Sequence, residues 1–174
     1  MKQIFFLFSF TALLIITGCG NKAADHQETD IPKGMMAVDL SSHGLPLIIN
    51  LPDSSLGAHE IRENALGGID VKSGKNFQIS IIEGTGNFDM KRSDIETDAV
   101  RKLVKYVINE PATLCWEWQI EGLEPEFHFY TVIHTGNKSF EVQDVEGEMF
   151  SENAVAKMLE SAKSIRLKDI MEAN

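Results

Sequence analysis

Three closely spaced stretches with the two-residue period of β-strands restrict the fold of this chain more than any other feature of its sequence. Residues 114–120, 127–134 and 139–145 alternate in side-chain character, and short polar segments separate them. Consecutive strands joined by such short connections run antiparallel. Because 127–134 is partly apolar on both faces, we expect it to be an interior strand of an antiparallel sheet.

Earlier stretches predict further strands. Residues 35–40 and 45–51 are expected to form one hairpin, and 77–82 a strand with alternate apolar residues on one face. Residues 61–66 and 69–72 flank two adjacent glycines, which permit the positive φ of a tight turn, so they form either a second hairpin or one bulged strand. The first half of the chain is therefore predicted to be mostly β structure.

Two segments have the apolar spacing of amphipathic helices. Ser93 and Glu96 fit a capping box, and the apolar residues that follow recur about one turn apart, which predicts a helix ending near Asn109 and Pro111. Ser151 is predicted to cap a second helix with a continuous apolar stripe. The predicted fold class is α+β, an antiparallel β-sheet covered by two amphipathic helices.

The length and charge of the chain limit its partners. Its 174 residues suffice for one domain and a tether, and a domain of that size is stable without metal or disulfide. The formal net charge of −10 opposes binding to nucleic acid and to anionic headgroups, so no nucleic-acid partner is expected. The acidic residues Glu121, Glu124 and Glu126 are expected to lie in a solvated loop.

The N-terminus has the features of a cleaved leader. Residues 4–16 are an apolar run that follows Lys2 and is shorter than the roughly 20 residues a membrane-spanning helix needs. The sequence Ile16-Thr17-Gly18-Cys19 closes this run and resembles the lipobox of bacterial lipoproteins. That resemblance implies that Cys19 is diacylated and becomes the first residue of the mature protein. The other interpretation is an ordinary secretory signal with an unrelated cysteine.

The lipobox resemblance divides the chain and places it in the cell. Residues 1–18 are the expected lipoprotein signal peptide, 19–34 a polar flexible tether, and 35–174 a single α+β domain. The expected location is a bacterial cell envelope, with attachment to the lipid bilayer through acylated Cys19. Gly20 is not the aspartate that retains some lipoproteins at the inner membrane, which favours the outer membrane, in a periplasmic or surface-facing position.

The arrangement of elements resembles the PsbP-like fold. The similarity rests on an N-terminal hairpin leading into LPDSSL, the mid-chain helix, the WEW and HFYTVIH strands, and the closing helix MLESAKSIRL, and it covers residues 35–167. It implies a layered sandwich in which helices cover an antiparallel sheet. The family includes proteins that bind unrelated partners, so it assigns neither an activity nor functional residues.

One strand face carries the candidate binding residues. His128 and Tyr130 share a face of 127–134, and Glu117 and Glu141 are expected to reach the same side from adjoining strands. If both helices cover the face that carries Trp116, the face of His128 and Tyr130 lies on the opposite side of the sheet and stays open to a ligand. If one helix covers each face, neither face stays open. His134 lies six residues from His128, roughly 20 Å along a strand, so one metal ion does not bridge both.

The sequence contains no complete catalytic motif. It lacks the G-x-S-x-G pattern of a hydrolase nucleophile, and no metal, cofactor or catalytic residue is assigned. We therefore expect a non-enzymatic lipoprotein that binds a protein or a small-molecule ligand in an accessory role. The alternative is a metal-dependent or thiol enzyme that uses His128, Glu117 and Cys115.

Overall fold

The computed structural model describes residues 31–168, apart from the side chain of Leu56. The predicted signal peptide, Cys19 and residues 20–30 of the predicted tether lie outside the described residues, as do residues 169–174. Within residues 31–168, no helix is long and apolar enough to span a membrane.

Antiparallel β structure predominates in the described residues, which also contain two α-helices, so the fold belongs to the α+β class. Short 3-10 turns follow the first two strands at Ser41–His43 and Ser54–Leu56. In chain order the strands and helices are β1 (Met35–Asp39), β2 (Leu47–Pro52), β3 (His59–Glu63), β4 (Ile69–Ser73), β5 (Gln78–Glu83), α1 (Phe88–Thr97), β6 (Lys102–Glu110), β7 (Thr113–Gln119), β8 (Glu126–Thr135), β9 (Lys138–Asp144), α2 (Glu152–Lys163) and β10 (Arg166–Leu167).

The strands form two sheets. β1 and β10 flank β2 in a three-stranded antiparallel sheet. The other seven strands form one antiparallel sheet in the order β3-β4-β5-β9-β8-β7-β6. The predicted interior position of 127–134 is confirmed, because β8 lies between β9 and β7 and is hydrogen-bonded to both.

The predicted hairpins of the first half are also confirmed. β1 pairs with β2, and β3 pairs with β4, so the segment containing Gly67 forms a hairpin rather than one bulged strand. Gly67 has a φ of 80°, a conformation that is accessible to glycine at little cost. Gly136, at the turn between β8 and β9, has a φ of 61° for the same reason.

The seven-stranded sheet has a hydrophobic cluster on each face. On one face, the three-stranded sheet and α2 contribute to the main core, and Phe129 of β8 points into it. On the other face, Ile95 of α1 packs on the sheet in a second group that we call the α1-side cluster. The buried residues of the α1-side cluster are Ile95, Leu114, Trp116, Trp118, Tyr130 and Val132.

The second predicted helix is confirmed as α2. The Ser151 hydroxyl accepts a hydrogen bond from the Ala154 N–H, as expected of an N-cap residue. Val155, Met158 and Ala162 of the predicted apolar stripe are fully buried in the main core.

The predicted mid-chain helix is wrong in its position. The helix begins earlier, where the Asn87 side chain caps α1, and it ends at Thr97, whereas residues 102–110 form strand β6. β6 contains two bulges, so Leu103 and Tyr106 lie opposite Trp118 and Trp116 on one face. A strand bulge replaces the two-residue spacing with a three-residue spacing, which imitates the period of a helix.

Candidate functional site

A cleft of about 570 Å³ lies between α1, the segment that follows it, and the sheet. Lys91 and Asp94 of α1, Arg101, and the sheet residues Trp116, Trp118 and His128 are among the residues that line it. We call it the tryptophan cleft. It contains the predicted binding residue His128, and its other walls come from segments distant in sequence.

Two tryptophans and His128 form the floor of the cleft. Trp116 lies directly opposite His128 in the β7–β8 ladder, and their rings stack at 5.6 Å with an angle of 27°. The ring of Trp118 meets that of His128 edge-on at 5.1 Å. The predicted alternative that places His128 on the face opposite Trp116 is therefore wrong, because directly paired residues of antiparallel strands project to the same side.

Buried carboxylates contact both nitrogens of the His128 ring. Nδ1 lies 2.7 Å from Oδ2 of Asp144, and Nε2 lies 3.3 Å from Oε2 of Glu126. All three side chains are buried, and the other oxygen of Asp144 accepts the N–H of Phe129 at 2.7 Å. The imidazole ring thus bridges two buried acidic side chains, one at each ring nitrogen. The group holds the end of β9 against β8.

The prediction that Glu126 is a solvated loop residue is wrong. Glu126 begins β8 and is 5% exposed. Besides His128, its carboxylate lies 3.7 Å from Nε of Arg101, a distance suited to an ion pair but too long for a hydrogen bond. An acidic side chain of this burial needs such cationic partners, because burying an unpaired charge is costly.

Two cationic side chains lie over the aromatic floor. The ammonium of Lys91 is 5.7 Å from the ring centre of Trp116 and 5.3 Å from that of Tyr130. The guanidinium of Arg101 lies 4.9 Å from the ring of Trp118. These distances are typical of cation–π contacts. Lys91 also donates a 3.0 Å hydrogen bond to Gln143 of β9, which fixes α1 to the sheet.

Asp98 positions the segment that carries Arg101. One of its carboxylate oxygens accepts the N–H groups of Arg101 and Val100 at 2.6 and 2.8 Å. These bonds, the one from Arg101 first, lower the pKa of Asp98 below its ordinary value. The ionised carboxylate thus ends the helical segment and turns the chain into β6.

The predicted pair of Tyr130 and Glu141 is present beside the cleft. The Tyr130 hydroxyl donates a 2.6 Å hydrogen bond to Oε2 of Glu141, and Oε1 accepts the N–H of Gly86 at 3.2 Å. Burial, followed by the hydrogen bond and the charge of Glu141, raises the pKa of Tyr130 well above its ordinary value. The pair ties the loop before α1 to the sheet.

Glu117 and Cys115 do not join His128. They alternate with Trp116 along β7 and therefore project from the other face of the sheet. Glu117 lies 3.2 Å from the ammonium of Lys105, and Cys115 belongs to the main core. Burial raises the pKa of the Cys115 thiol to about 11, so it is protonated near neutral pH. The sheet thus separates His128 from Glu117 and Cys115, the other two residues of the thiol-enzyme or metal-enzyme interpretation.

The described residues contain no group of three or more histidine, cysteine, aspartate or glutamate side chains arranged to hold a metal ion. His134, the second histidine of β8, is exposed, and its Nδ1 lies 2.8 Å from the Ser139 hydroxyl. Both nitrogens of His128 are engaged by carboxylates.

Two hydrogen-bond donors in the tryptophan cleft lack a partner among the described residues. They are the indole N–H of Trp116 and the Nε–H of Arg101, and both atoms are buried. The indole N–H of Trp118 differs, because it donates to the backbone oxygen of Ile95 at 3.2 Å. Buried donors are nearly always satisfied, so a cleft with two free donors is suited to a molecule that presents acceptor oxygens.

No local pattern in the sequence marks Lys91, Arg101, Glu126 and Asp144 as parts of one site. They come from α1, the segment before β6, and two strands, and the strand pairing together with the position of α1 on the sheet brings them to one cleft. No protein-family model, curated protein or solved structure matches this chain. The geometry of the cleft and the N-terminal sequence are therefore the features that indicate a function.

Proposed function

We propose that this chain is a bacterial envelope lipoprotein, anchored in the outer membrane through acylated Cys19, whose α+β domain is a non-enzymatic binding module. The anchor is supported by the leader and by the resemblance of Ile16-Thr17-Gly18-Cys19 to a lipobox. Two or more acyl chains hold a protein on a bilayer stably, whereas one chain alone does not. The polar tether 19–34 gives the domain reach above the membrane.

The finer part of the fold proposal is a PsbP-like layered sandwich with a helix on each side. Its support is the β1–β2 hairpin that leads into LPDSSL, together with the closing helix α2 and its apolar stripe. α1 supports it less, because Ile95 is the only residue that this helix buries. A shared fold does not identify a ligand, and the residues of the tryptophan cleft are what indicate its chemistry.

The observation that carries the binding proposal is the indole N–H of Trp116, which is buried in the tryptophan cleft and has no hydrogen-bond partner among the described residues. The Nε–H of Arg101 also makes no hydrogen bond there, although the carboxylate of Glu126 lies 3.7 Å away. A ligand oxygen that accepts from either donor removes a desolvation penalty that the free protein bears, which favours binding. The cleft also presents the carboxylates of Asp94 and Asp98, which accept hydrogen bonds. A small hydroxyl-bearing ligand satisfies both kinds of group. The volume of the tryptophan cleft, about 570 Å³, is suited to a small molecule.

The cleft can be monitored directly, because the chain has only two tryptophans and both lie in it. Intrinsic fluorescence is therefore a readout of the cleft alone. We expect members of a panel of mono- and disaccharides to change the emission with a saturable dependence on concentration. Thermal unfolding in the same solutions should show the rise of the midpoint that binding to the native state produces.

Variants at the two tryptophans distinguish the proposed contact from a general effect. Trp116→Phe removes the free N–H and should weaken binding about tenfold. Trp118→Phe is the matched control, because its N–H is already used by the Ile95 oxygen. It should lower stability and weaken binding less than Trp116→Phe does. Equal affinities for both variants, or no response to any member of the panel, would contradict the cleft proposal.

The anchor is tested separately. Cys19→Ser should move the protein from the membrane fraction to the soluble fraction, and it should abolish incorporation of labelled palmitate. Cys115→Ser is the matched control, since Cys115 is buried in the main core, and this variant should remain in the membrane fraction. Membrane retention of the Cys19→Ser variant would exclude lipid anchoring at this residue while leaving the cleft proposal intact.

A further inference from the structure

We propose that a second site, at the N-terminus of α2, binds the phosphate group of a small phosphate ester. It lies in a cleft of about 510 Å³ between the first turn of α2 and the turn that joins β4 to β5, and we call it the α2 cleft. Its walls include Phe77 and Ala154 of the main core, whereas the tryptophan cleft opens beside the α1-side cluster. The two sites therefore lie on opposite faces of the seven-stranded sheet.

The first turn of α2 provides backbone donors. The Ala154 N–H is satisfied by the Ser151 hydroxyl, and the Val155 N–H by the Ser151 carbonyl. An N–H in an α-helix donates to the carbonyl four residues earlier, and for Glu152 and Asn153 that carbonyl lies outside the helix. The helix itself therefore provides no partner for these two N–H groups. The positive end of the helix dipole points to the same place and favours an anion there.

A buried hydroxyl points to a ligand independently of the helix terminus. Ser73 ends β4, is 2% exposed, and its Oγ has no hydrogen-bond partner among the described residues. Side chains alternate along a strand, so Ser73 projects to the same face as Val71 and Ile69, which is the face that α2 covers. Ser73 also lines the α2 cleft, so a buried polar side chain without a hydrogen-bond partner borders it.

The charge of the α2 cleft is opposite to that of the whole chain. Lys75 and Lys157 line it, and none of the residues that line it is acidic, although the formal net charge of the chain is −10. Among residues 31–168, neither lysine forms a salt bridge or a side-chain hydrogen bond, whereas Lys105, Lys138 and Lys168 are each paired with a carboxylate. Two unpaired ammonium groups beside a helix N-terminus attract an anion.

The combination of donors selects the class of ligand. Ammonium, hydroxyl and backbone N–H groups all donate, and a phosphate has three oxygens free to accept when it is esterified at the fourth. The cleft is larger than a phosphate ion needs, and Pro52, Phe77 and Ala154 form an apolar wall beside the donors. That wall accommodates the organic part of an ester, so the ligand is a phosphate monoester rather than the bare ion.

The test is calorimetric titration of the full-length chain, held in a neutral detergent, with three probes: inorganic phosphate, butyl phosphate, and a short-chain phosphatidic acid below its micelle concentration. We expect butyl phosphate to bind about tenfold more tightly than inorganic phosphate, because its alkyl group lies against the apolar wall. Tighter binding of the diacyl probe identifies a lipid headgroup as the source, and equal binding identifies a soluble ester. Absence of binding by all three probes overturns the proposal.

Two pairs of variants assign any binding to this cleft. Lys157→Gln should weaken it about tenfold, because it removes a charged donor, whereas Lys163→Gln, at the other end of α2, should not. Ser73→Ala should also weaken it, and Ser161→Ala is its control, since Ser161 is buried with a free Oγ but does not line the cleft. Removing a buried hydroxyl without a partner should not impair folding, which thermal unfolding verifies. Unchanged affinity in both Lys157→Gln and Ser73→Ala overturns the assignment.

Discussion

His128 is the residue whose environment is least tolerant of change. It separates the buried carboxylates of Asp144 and Glu126, and each carboxylate contacts one of its ring nitrogens. His128→Ala leaves both acidic groups buried without this partner. Because uncompensated buried charge is costly, we expect a loss of about 3–5 kcal/mol in the free energy of unfolding, measured by urea denaturation at pH 7.

His134→Ala provides the control on the same strand. His134 is exposed, and within residues 31–168 its side chain forms one hydrogen bond, with the Ser139 hydroxyl, so its removal should change stability by less than about 0.5 kcal/mol. Similar losses in the two variants would show that the carboxylates do not depend on the imidazole.

Asp98 gives a prediction about pH. Its pKa in the folded protein lies below the ordinary 3.8, so its hydrogen bonds stabilise the fold fully above that pH and progressively less as the pH falls through the lowered value. Asp98→Asn should therefore cost about 1 kcal/mol at pH 7, and the deficit should shrink at a pH below 3.8. Thermal unfolding at the two pH values measures it.

Asp94→Asn is the comparison for Asp98→Asn. Asp94 is exposed and also lines the tryptophan cleft, but it makes no hydrogen bond to the backbone within residues 31–168. We expect the Asp94→Asn variant to be as stable as the wild type at both pH values. A deficit of Asp98→Asn that does not vary with pH would assign its effect to shape rather than to charge.

At the scale of single residues, the sequence predicts which side chains share a strand face but not what they meet. Alternation along 127–134 correctly grouped His128 with Tyr130. It did not reveal that Trp116 belongs to the same face, because a six-residue connection does not set which residues of two strands lie opposite each other. The place of Asp144 beside His128 depends on strand pairing in the same way.

The register of β6 can be tested by substitution. Val104 lies at the first bulge, has no partner residue in β7, and is 51% exposed. Its neighbour Leu103 packs against the α1-side cluster. Val104→Lys should change stability by less than about 0.5 kcal/mol, and Leu103→Lys should cost about 1–2 kcal/mol. Chemical denaturation of both variants gives the two values. A large loss for Val104→Lys would mean that both residues are buried, as the predicted helix requires.

Elements whose limits are marked by local chemistry were predictable. Glycine at a positive φ defines the turn of β3–β4, and the Ser151 cap defines the start of α2. The segment 98–110 was not predictable by periodicity, because its bulges depend on the partner strand β7. Its content of Val104, Val107 and Ile108 favours a strand, since β-branched residues pack well on a pleated surface.

The two clusters share one sheet, so the described domain should unfold as a unit. Met158 lies in the main core, fully buried, and on the opposite face from both tryptophans. Met158→Ala should lower the free energy of unfolding by about 2–5 kcal/mol. The loss should be equal when it is followed by tryptophan fluorescence and by circular dichroism, because both faces belong to one cooperative transition.

Met149→Ala is the corresponding control, since Met149 is 63% exposed and should contribute little. Two separate midpoints in Met158→Ala, with fluorescence unchanged, would show that the α1-side cluster holds together without the main core.

At the scale of the whole molecule, composition and pattern predicted an α+β domain with predominant antiparallel structure, and the described residues agree. Neither cleft was predictable. The tryptophan cleft is built from α1 and three strands, and the α2 cleft joins Ser73 to Lys157, which lie far apart in the chain. Long-range proximity of this kind follows from the order of strands in the sheet, which local patterns do not contain.

The bulges of β6 have one further consequence, for behaviour at high protein concentration. β6 is an outermost strand of the seven-stranded sheet, and an outermost strand with regular, unpaired backbone groups invites the same strand of another molecule to align with it. Bulges twist such a strand and interrupt its run of free hydrogen-bonding groups, and Lys102 adds charge there. The irregularity that disguised this strand as a helix thereby protects the folded protein from self-association along this edge.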